Sequence, residues 1–178
     1  MTVRANKPAF NVREKLKSLD YSHVPYEKMP AGSVIQFKHY TSANASIFTT
    51  NTTYTDAGLT ASFYPKFANS MIKVEIKSRR FNLVTGDYIR VNVSRDGGNT
   101  YIGDDMTQTN PRDIWFQDAD STGSNQITHP LYFPWIDYPN TTSKIDYKIY
   151  FAADTSSGGT VYLADSGGVQ LYITEIKQ

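Results

Sequence analysis

The sequence predicts an all-β protein, an antiparallel jelly-roll sandwich preceded by a short N-terminal helix and an extended tether. From residue 33 to residue 176, short runs alternate apolar and polar residues, and clusters of Gly, Asn, Asp and Ser separate them. No helix-length segment lies between these runs, which argues for antiparallel pairing and against a parallel sheet. About nine strands are expected, the number typical of a two-sheet jelly roll.

The predicted strands follow the alternation along the chain. They cover 33–40, a ragged stretch within 42–57, 58–64, 71–81, 87–95, a short strand within 104–126, 127–135, 143–152, 160–164 and 169–176. The clearest is 71–81, which places Ile72, Val74 and Ile76 on one face and charged residues on the other. Pro130 and Pro134 restrict 127–135 to an edge or bulged strand, because proline cannot donate to a sheet ladder.

Two hairpins are predicted from turn residues. The strand 87–95 is expected to follow 71–81 as its neighbour and to turn through Asp96-Gly97-Gly98 into 99–103, since Asp-Gly between alternating runs is a strong hairpin signal. A second hairpin is predicted to join 160–164 to 169–176 around Asp165-Ser-Gly-Gly168.

The N-terminal residues differ in pattern from the rest. Asn11 and Glu14 form a capping box, and the apolar side chains that follow share one face of a predicted helix over 11–20. An isolated helix of about ten residues is unstable in water, so this face needs a surface to pack on. We expect a neighbouring protein, contacted through Phe10, Val12, Arg13, Leu16 and Leu19; packing on the chain's own β domain is the alternative.

The stretch 29–36 marks the predicted boundary between two units. Pro25 and Pro30 indicate an extended tether over 21–30, and the alternation begins directly after Gly32. We therefore divide the chain into an anchoring segment, 1–28, and a β domain, 29–178.

Charge is distributed unevenly. Residues 1–40 carry seven Lys or Arg and three Asp or Glu, a net charge of +4, so the remainder carries −3 of the total of +1. Such a basic segment suits an acidic protein surface or nucleic acid. Nucleic acid is disfavoured because the cations are scattered and Phe10 is the only aromatic residue among the first twenty.

Composition excludes several classes of site. The chain has no cysteine, and therefore no disulfide, thiol nucleophile or thiolate metal site. No apolar run approaches the roughly 20 residues of a membrane span, and the first residues lack the apolar stretch of a secretory signal. We expect no membrane insertion.

No metal, cofactor or catalytic centre is predicted. His23, His39 and His129 share no metal-ligand spacing. The run from Asp118 through Asp120 to Gly123 is similar to a calcium loop, but His129 stands where an EF-hand needs Glu. A looser calcium site and a glycosidase carboxylate pair are the alternatives left open.

The region 104–138 combines acidic and aromatic residues. Its candidate receptor-binding residues are Asp105, Trp115, Asp118 and Asp120. The aromatic side chains are densest at Trp115, Phe116, Tyr132, Phe133, Trp135 and Tyr138. Packing in a core or a subunit interface is favoured for them over stacking on a sugar.

Five stretches resemble small virion proteins of tailed bacterial viruses. They are Asn11-Val-Arg-Glu-Lys-Leu16, Tyr26-Glu-Lys-Met-Pro-Ala-Gly-Ser-Val-Ile-Gln36, Tyr54-Thr-Asp-Ala-Gly-Leu-Thr-Ala-Ser-Phe-Tyr-Pro65, Ser70-Met-Ile-Lys-Val74 and Gly168-Val-Gln-Leu-Tyr-Ile-Thr-Glu-Ile176. The β domain also resembles the trimeric jelly rolls of the tumour-necrosis-factor and complement-globular-head type. No coiled-coil or repeat shaft is present between tether and domain, which disfavours a long fibre.

The resemblance implies a structural protein of the virion, not an enzyme. It implies a tail fibre or tail-associated tip that attaches the particle to a host surface, with a capsid decoration protein or head fibre as the alternative and a polysaccharide depolymerase as a third. The expected partners are other virion proteins, two further copies in a homotrimer, and a host surface glycan if the protein binds a receptor; no nucleic acid is expected.

Overall fold

The computed structural model describes residues 25–83, 88–102, 114–117, 127–154, 160–164 and 167–178. The predicted helix 11–20 and its docking residues Phe10, Val12, Arg13, Leu16 and Leu19 lie outside these ranges. The described strands are β1 (Val34–Thr41), β2 (Ile47–Thr49), β3 (Thr55–Phe63), β4 (Met71–Leu83), β5 (Tyr88–Ser94), β6 (Ile114–Gln117), β7 (Ile127–Asp137), β8 (Ile145–Asp154), β9 (Val161–Ala164) and β10 (Val169–Ile176).

The strands form two antiparallel sheets, which we call the front sheet and the back sheet. In the front sheet β10 lies between β1 and β4, and β7 pairs with the other edge of β4. The short strands β9 and β2 extend this sheet, with β9 beside the end of β4. The back sheet has the order β3-β8-β5-β6. The predicted all-β sandwich of antiparallel sheets is confirmed.

The core lies between the sheets, and the alternation predicted its two sides. Ile72, Val74 and Ile76 of β4 are fully buried, as are the inward residues of β5. Tyr147, Ile149 and Phe151 of β8 complete the back layer, with Leu171 and Ile173 in the front layer. Burying each aliphatic side chain of this kind contributes about 1.5–3 kcal/mol.

Two predicted strand pairings are wrong. The strands β4 and β5, expected to be neighbours, belong to different sheets. The strands β9 and β10, expected to form a hairpin, instead lie one after the other along the same side of β4, with β9 paired to β2 and β10 paired to β1. Alternation reports which residues face the core, but it carries no information on which strand is the partner.

Among the described residues, the predicted hairpin after Asp96 is present as a bridge between Ser94 and Tyr101 and a hydrogen bond from the Ile102 amide to the Val93 carbonyl at 2.7 Å. The Asp96 carboxylate accepts the amide protons of Asn99 (3.1 Å) and Thr100 (2.8 Å), so the chain closes into a compact loop. Gly98 has φ +96°, and a Cβ there would lie 3.1 Å from the Tyr150 ring. The hydrogen bonds to Asp96 close the turn between the two paired segments.

The hydrogen bonds of this loop should lower the pKa of Asp96, which a pH titration can measure. Burial alone would raise the pKa of Asp96, but hydrogen bonds from Thr100, Ser94 and Asn99 hold it below its usual value. The loop contacts therefore contribute stability above the ordinary Asp pKa of about 3.9, and this is lost as pH falls through the lowered pKa. The NMR chemical shift of the Thr100 amide proton should report protonation of Asp96, with a midpoint below about pH 3.9. A midpoint at or above that value contradicts the assignment. Asp96→Asn should abolish the pH-dependent change in shift.

The segment before β1 differs from the predicted extended tether. Tyr26–Lys28 forms a 3-10 turn, with the Lys28 amide donating to the Pro25 carbonyl at 2.8 Å. The division into units 1–28 and 29–178 stays a prediction.

Candidate interaction surface

The outward side of the front sheet carries three cross-strand rows of side chains. They follow from the register of β1, β10, β4 and β7. The rows are Phe37–Thr174–Lys73–Ile136, His39–Tyr172–Glu75–Pro134 and Thr41–Gln170–Lys77–Tyr132. Because alternate residues of a strand point to opposite faces, the rows back directly onto the buried core.

Large apolar side chains on this side are open to solvent. Phe37 is 57% exposed, Phe48 59%, Tyr132 57% and Ile136 41%. We call the surface formed by Phe37, His39, Phe48, Tyr132, Ile136, Tyr162 and Tyr172 the aromatic face. Exposed apolar side chains grouped on one side of a folded domain typically mark a site of protein association.

Ring contacts hold the aromatic face in place. Tyr172 stacks on His39, with ring centroids 4.6 Å apart, and on Phe37 at 6.0 Å. Phe48 packs against Tyr162 at 5.5 Å. Since these side chains are fixed by their neighbours, little conformational entropy is lost when a partner covers them.

A short polar strip crosses the aromatic face. Lys73 pairs with Glu75 at 2.7 Å, and the Tyr132 hydroxyl donates to the same carboxylate. Burial raises the pKa of Glu75, but the hydrogen bonds from Lys73 and Tyr132 outweigh it and lower the pKa. The hydrogen bond to Glu75 raises the pKa of Lys73. Both charges therefore persist across the physiological range beside an open groove of about 440 Å³ between Tyr132 and Tyr172.

The outward side of the back sheet is different in chemistry. Lys148 pairs with Asp56 at 2.8 Å, and Lys144 pairs with Asp146 at 2.9 Å. Asp146 also accepts the Ser62 hydroxyl proton at 2.6 Å. Partly exposed ion pairs of this kind add little stability and suit contact with water. The same side also carries Tyr54, Tyr101 and Tyr150, whose rings pack on one another and are buried or half-buried, so the two faces differ in the exposure of their aromatic side chains.

The structure locates only one of the four candidate receptor residues. Trp115 lies in β6, opposite Arg90 in the register of the back sheet, so the short strand predicted within 104–126 is present. Asp105, Asp118 and Asp120 lie outside the described residues. Trp135 is buried in the core, whereas Tyr132 and Tyr138 are exposed; the densest aromatic region therefore divides between core and surface.

Several surface residues were missed by the sequence reasoning. Phe37 and Tyr172 stand in predicted strands but lie on their outward side. In β1 the alternation groups Phe37 with Ile35, yet Ile35 is buried and Phe37 exposed because the register shifts between Val34 and Gln36. An aromatic residue at the outward position of an amphipathic strand was the signal available. It becomes specific only when the register places such positions side by side.

The described part of the chain holds neither a metal-binding cluster nor a membrane-spanning helix. No group of three or more His, Asp or Glu side chains is placed there to hold a metal ion. Within the same residues, no helix has the length and hydropathy needed to span a membrane.

The chain was compared with known proteins. No protein-family model matches it. No curated protein matches it either. Among solved structures it is similar to VP2 of infectious bursal disease virus, from the crystal structure of its subviral particle, with 13% identity and a TM-score of 0.47. The match covers 82% of this chain but only 34% of the VP2 chain. At these values the likeness carries no inference about function.

Proposed function

We propose that the protein is a structural component of a virion that associates through the aromatic face of its β sandwich. The observation that carries this proposal is the exposure of large aromatic and aliphatic side chains on the outward side of the front sheet, whereas the rings of Tyr54, Tyr101 and Tyr150 on the back sheet are buried or half-buried. An exposed aromatic surface favours aggregation unless a partner covers it, so such a surface typically marks a site of association. The resemblance of residues 26–36 and 168–176 to bacteriophage virion proteins supports a role in a virion.

We infer that the sandwich is a jelly roll. In sheet order, β1 with β2 and β9 with β10 each act as one interrupted strand, which leaves four strand positions per sheet. Neighbours in both sheets are mostly distant in sequence, as the fold requires. This order supports the similarity to trimeric jelly rolls of the tumour-necrosis-factor type.

The proposed occupant of the aromatic face is a second copy of this chain, in a homotrimer. The front sheet has four main strands about 4.8 Å apart, and about eight residues per strand rise about 3.4 Å each. Its outward side therefore covers roughly 500 Å². A stable interface needs about 800 Å² per partner. An edge of the neighbouring copy must therefore contribute as well, and a closed ring supplies such contacts to every subunit.

Assembly should depend on the aromatic face. Phe37→Lys places a second cation beside Lys73, and burying it should weaken association by at least about 2 kcal/mol, or roughly thirtyfold. Light scattering should then give the 20.1-kDa monomer, while the parent gives three times that mass. Thr60→Lys, exposed on the back sheet, is the matched control and should remain trimeric. A parent protein that is monomeric at micromolar concentration contradicts the trimer.

We propose that residues 1–28 dock the protein on the virion and that the β domain of a tail fibre or tail tip attaches it to a host surface. Attachment makes and breaks no bond. Removing residues 1–20 should abolish incorporation into particles while the β domain still folds, as measured by immunoblot of purified virions and circular dichroism. Incorporation without these residues would refute the docking role.

Location in the particle separates tail attachment from head decoration. Gold labelling at the tail supports attachment, and labelling over the head supports a decoration protein or head fibre. A host glycan is proposed as ligand only for the tail location, and loss of polysaccharide length on incubation with the protein would instead indicate a depolymerase.

A further inference from the structure

The turn that precedes β1 is held by one side chain from the other end of the chain. The Lys177 ammonium group donates to the carbonyl oxygens of Glu27 and Met29, both at 2.7 Å, and of Tyr26 at 3.2 Å. An ammonium group has three protons, so this geometry satisfies all of them. The same group lies 5.6 Å from the centre of the Phe67 ring.

Backbone contacts reinforce this tie. The Gly32 amide donates to the Lys177 carbonyl at 2.8 Å, and the Lys177 amide donates to the Ser33 carbonyl at 3.0 Å. The strand pairing of β1 with β10 thus continues past the end of both strands. Residues 26–33 are held against the sandwich at a defined place.

That place defines one end of the molecule, which we call the tied end. It contains residues 25–33, 64–70, 138–144 and 177–178, because β4 and β8 begin there and β3, β7 and β10 end there. The strand termini Leu83, Tyr88, Gln117, Ile127 and Asp154 lie at the opposite end. Residues before Pro25 are covalently joined to the tied end.

We propose that Lys177 fixes the direction in which the N-terminal segment leaves the β sandwich, so that the tied end faces the virion and the opposite end faces outward. This proposal rests on the proposed function, since it needs the N-terminal segment to be the anchor. A tie of three hydrogen bonds limits rotation of the domain about its anchor. A flexible linker from Pro25 onward would impose no such direction.

The tie can be tested in the isolated protein. Lys177→Met keeps much of the side-chain length but removes all three donors, so the amides of Met29 and Gly32 should exchange roughly tenfold faster with solvent. Lys28→Met, an exposed lysine in the same turn, is the matched control and should leave these rates unchanged. Equal rates in parent and Lys177→Met protein would overturn the role of Lys177.

The direction can be tested in particles, because the chain has no cysteine and a single introduced thiol is unique. Thr142→Cys lies exposed at the tied end, and Thr53→Cys lies exposed at the opposite end. In virions, the thiol at residue 53 should react with a maleimide as fast as in the free protein, and the thiol at 142 should react at least about tenfold more slowly.

The outcomes are separable. Equal reactivity of the two thiols in virions, or protection of residue 53 alone, would overturn the proposed direction. Absence of the protein from purified particles would instead refute the proposed function. Adding Lys177→Met to Thr142→Cys should partly restore the reactivity of residue 142 in virions, and unchanged protection would show that Lys177 does not set the direction.

Discussion

Replacement of Glu175 by alanine is expected to lower the free energy of unfolding by about 3–5 kcal/mol. Glu175 occupies an inward position of β10 and is fully buried. Its carboxylate accepts hydrogen bonds from the Ser70 hydroxyl (2.6 Å) and the Gln36 side-chain amide (2.6 Å). It also accepts the backbone amides of Lys66 (2.8 Å) and Phe67 (3.1 Å).

The size of this effect follows from the number of donors. Alanine would leave the buried Ser70 hydroxyl and three part-buried N–H groups without their acceptor, and a fully buried group of this kind costs about 1–3 kcal/mol. The loop 64–70 owes its position to these bonds, so it should also lose protection from amide exchange. Urea denaturation at fixed protein concentration measures the difference, since oligomer stability depends on concentration.

Two variants bracket the Glu175 prediction. Glu175→Gln keeps the shape and one acceptor oxygen, although its amide protons face other donors. Its loss of unfolding free energy should therefore be smaller than that of the alanine variant. Thr60→Ala, at an exposed strand position, should change stability by less than about 0.5 kcal/mol. If Glu175→Ala unfolds within about 1 kcal/mol of the parent, the carboxylate is not the acceptor described.

Replacement of Asp137 by alanine is expected to cost about 2–4 kcal/mol. Asp137 ends β7 and accepts from the Arg95 guanidinium at 2.6 Å and from the Tyr147 hydroxyl at 2.8 Å. Tyr147 is fully buried in the back sheet, so this network joins the two sheets. Burial, followed by the Asp137 carboxylate, raises the pKa of Tyr147, and the phenol therefore remains a neutral donor at physiological pH.

The comparison with single-bond variants makes the Asp137 prediction specific. Tyr147→Phe removes one hydroxyl and leaves the ion pair with Arg95, so we expect a loss of only about 0.5–1.5 kcal/mol. Asp137→Asn retains an acceptor and should fall between the two. Equal losses for Asp137→Ala and Tyr147→Phe, measured by urea denaturation, would show that Arg95 contributes nothing.

Local pattern was sufficient for much of the fold. The inward face of β4 was predicted residue by residue, because apolar side chains at every second position must face a core. Pro130 and Pro134 correctly indicated an edge: among the described strands β7 pairs only with β4. Both features depend only on neighbours in sequence.

Other features depended on residues far apart in the chain. Glu175 continues the inward series Val169, Leu171 and Ile173, at a position where the alternation predicts an apolar residue. Its donors come from 36 and from 66–70, which the sequence does not connect to it. The aromatic face was missed for the same reason, since its residues come from five strands.

By itself, the sequence determined that this protein is an antiparallel β sandwich and which side of most strands is buried, because that information repeats every second residue. Only the tertiary structure decided which strands are neighbours, that the outward aromatic residues share one side of the front sheet, and that Lys177 ties the chain before β1 to the last strand. These facts depend on contacts between residues up to about 150 positions apart, and no local periodicity encodes them.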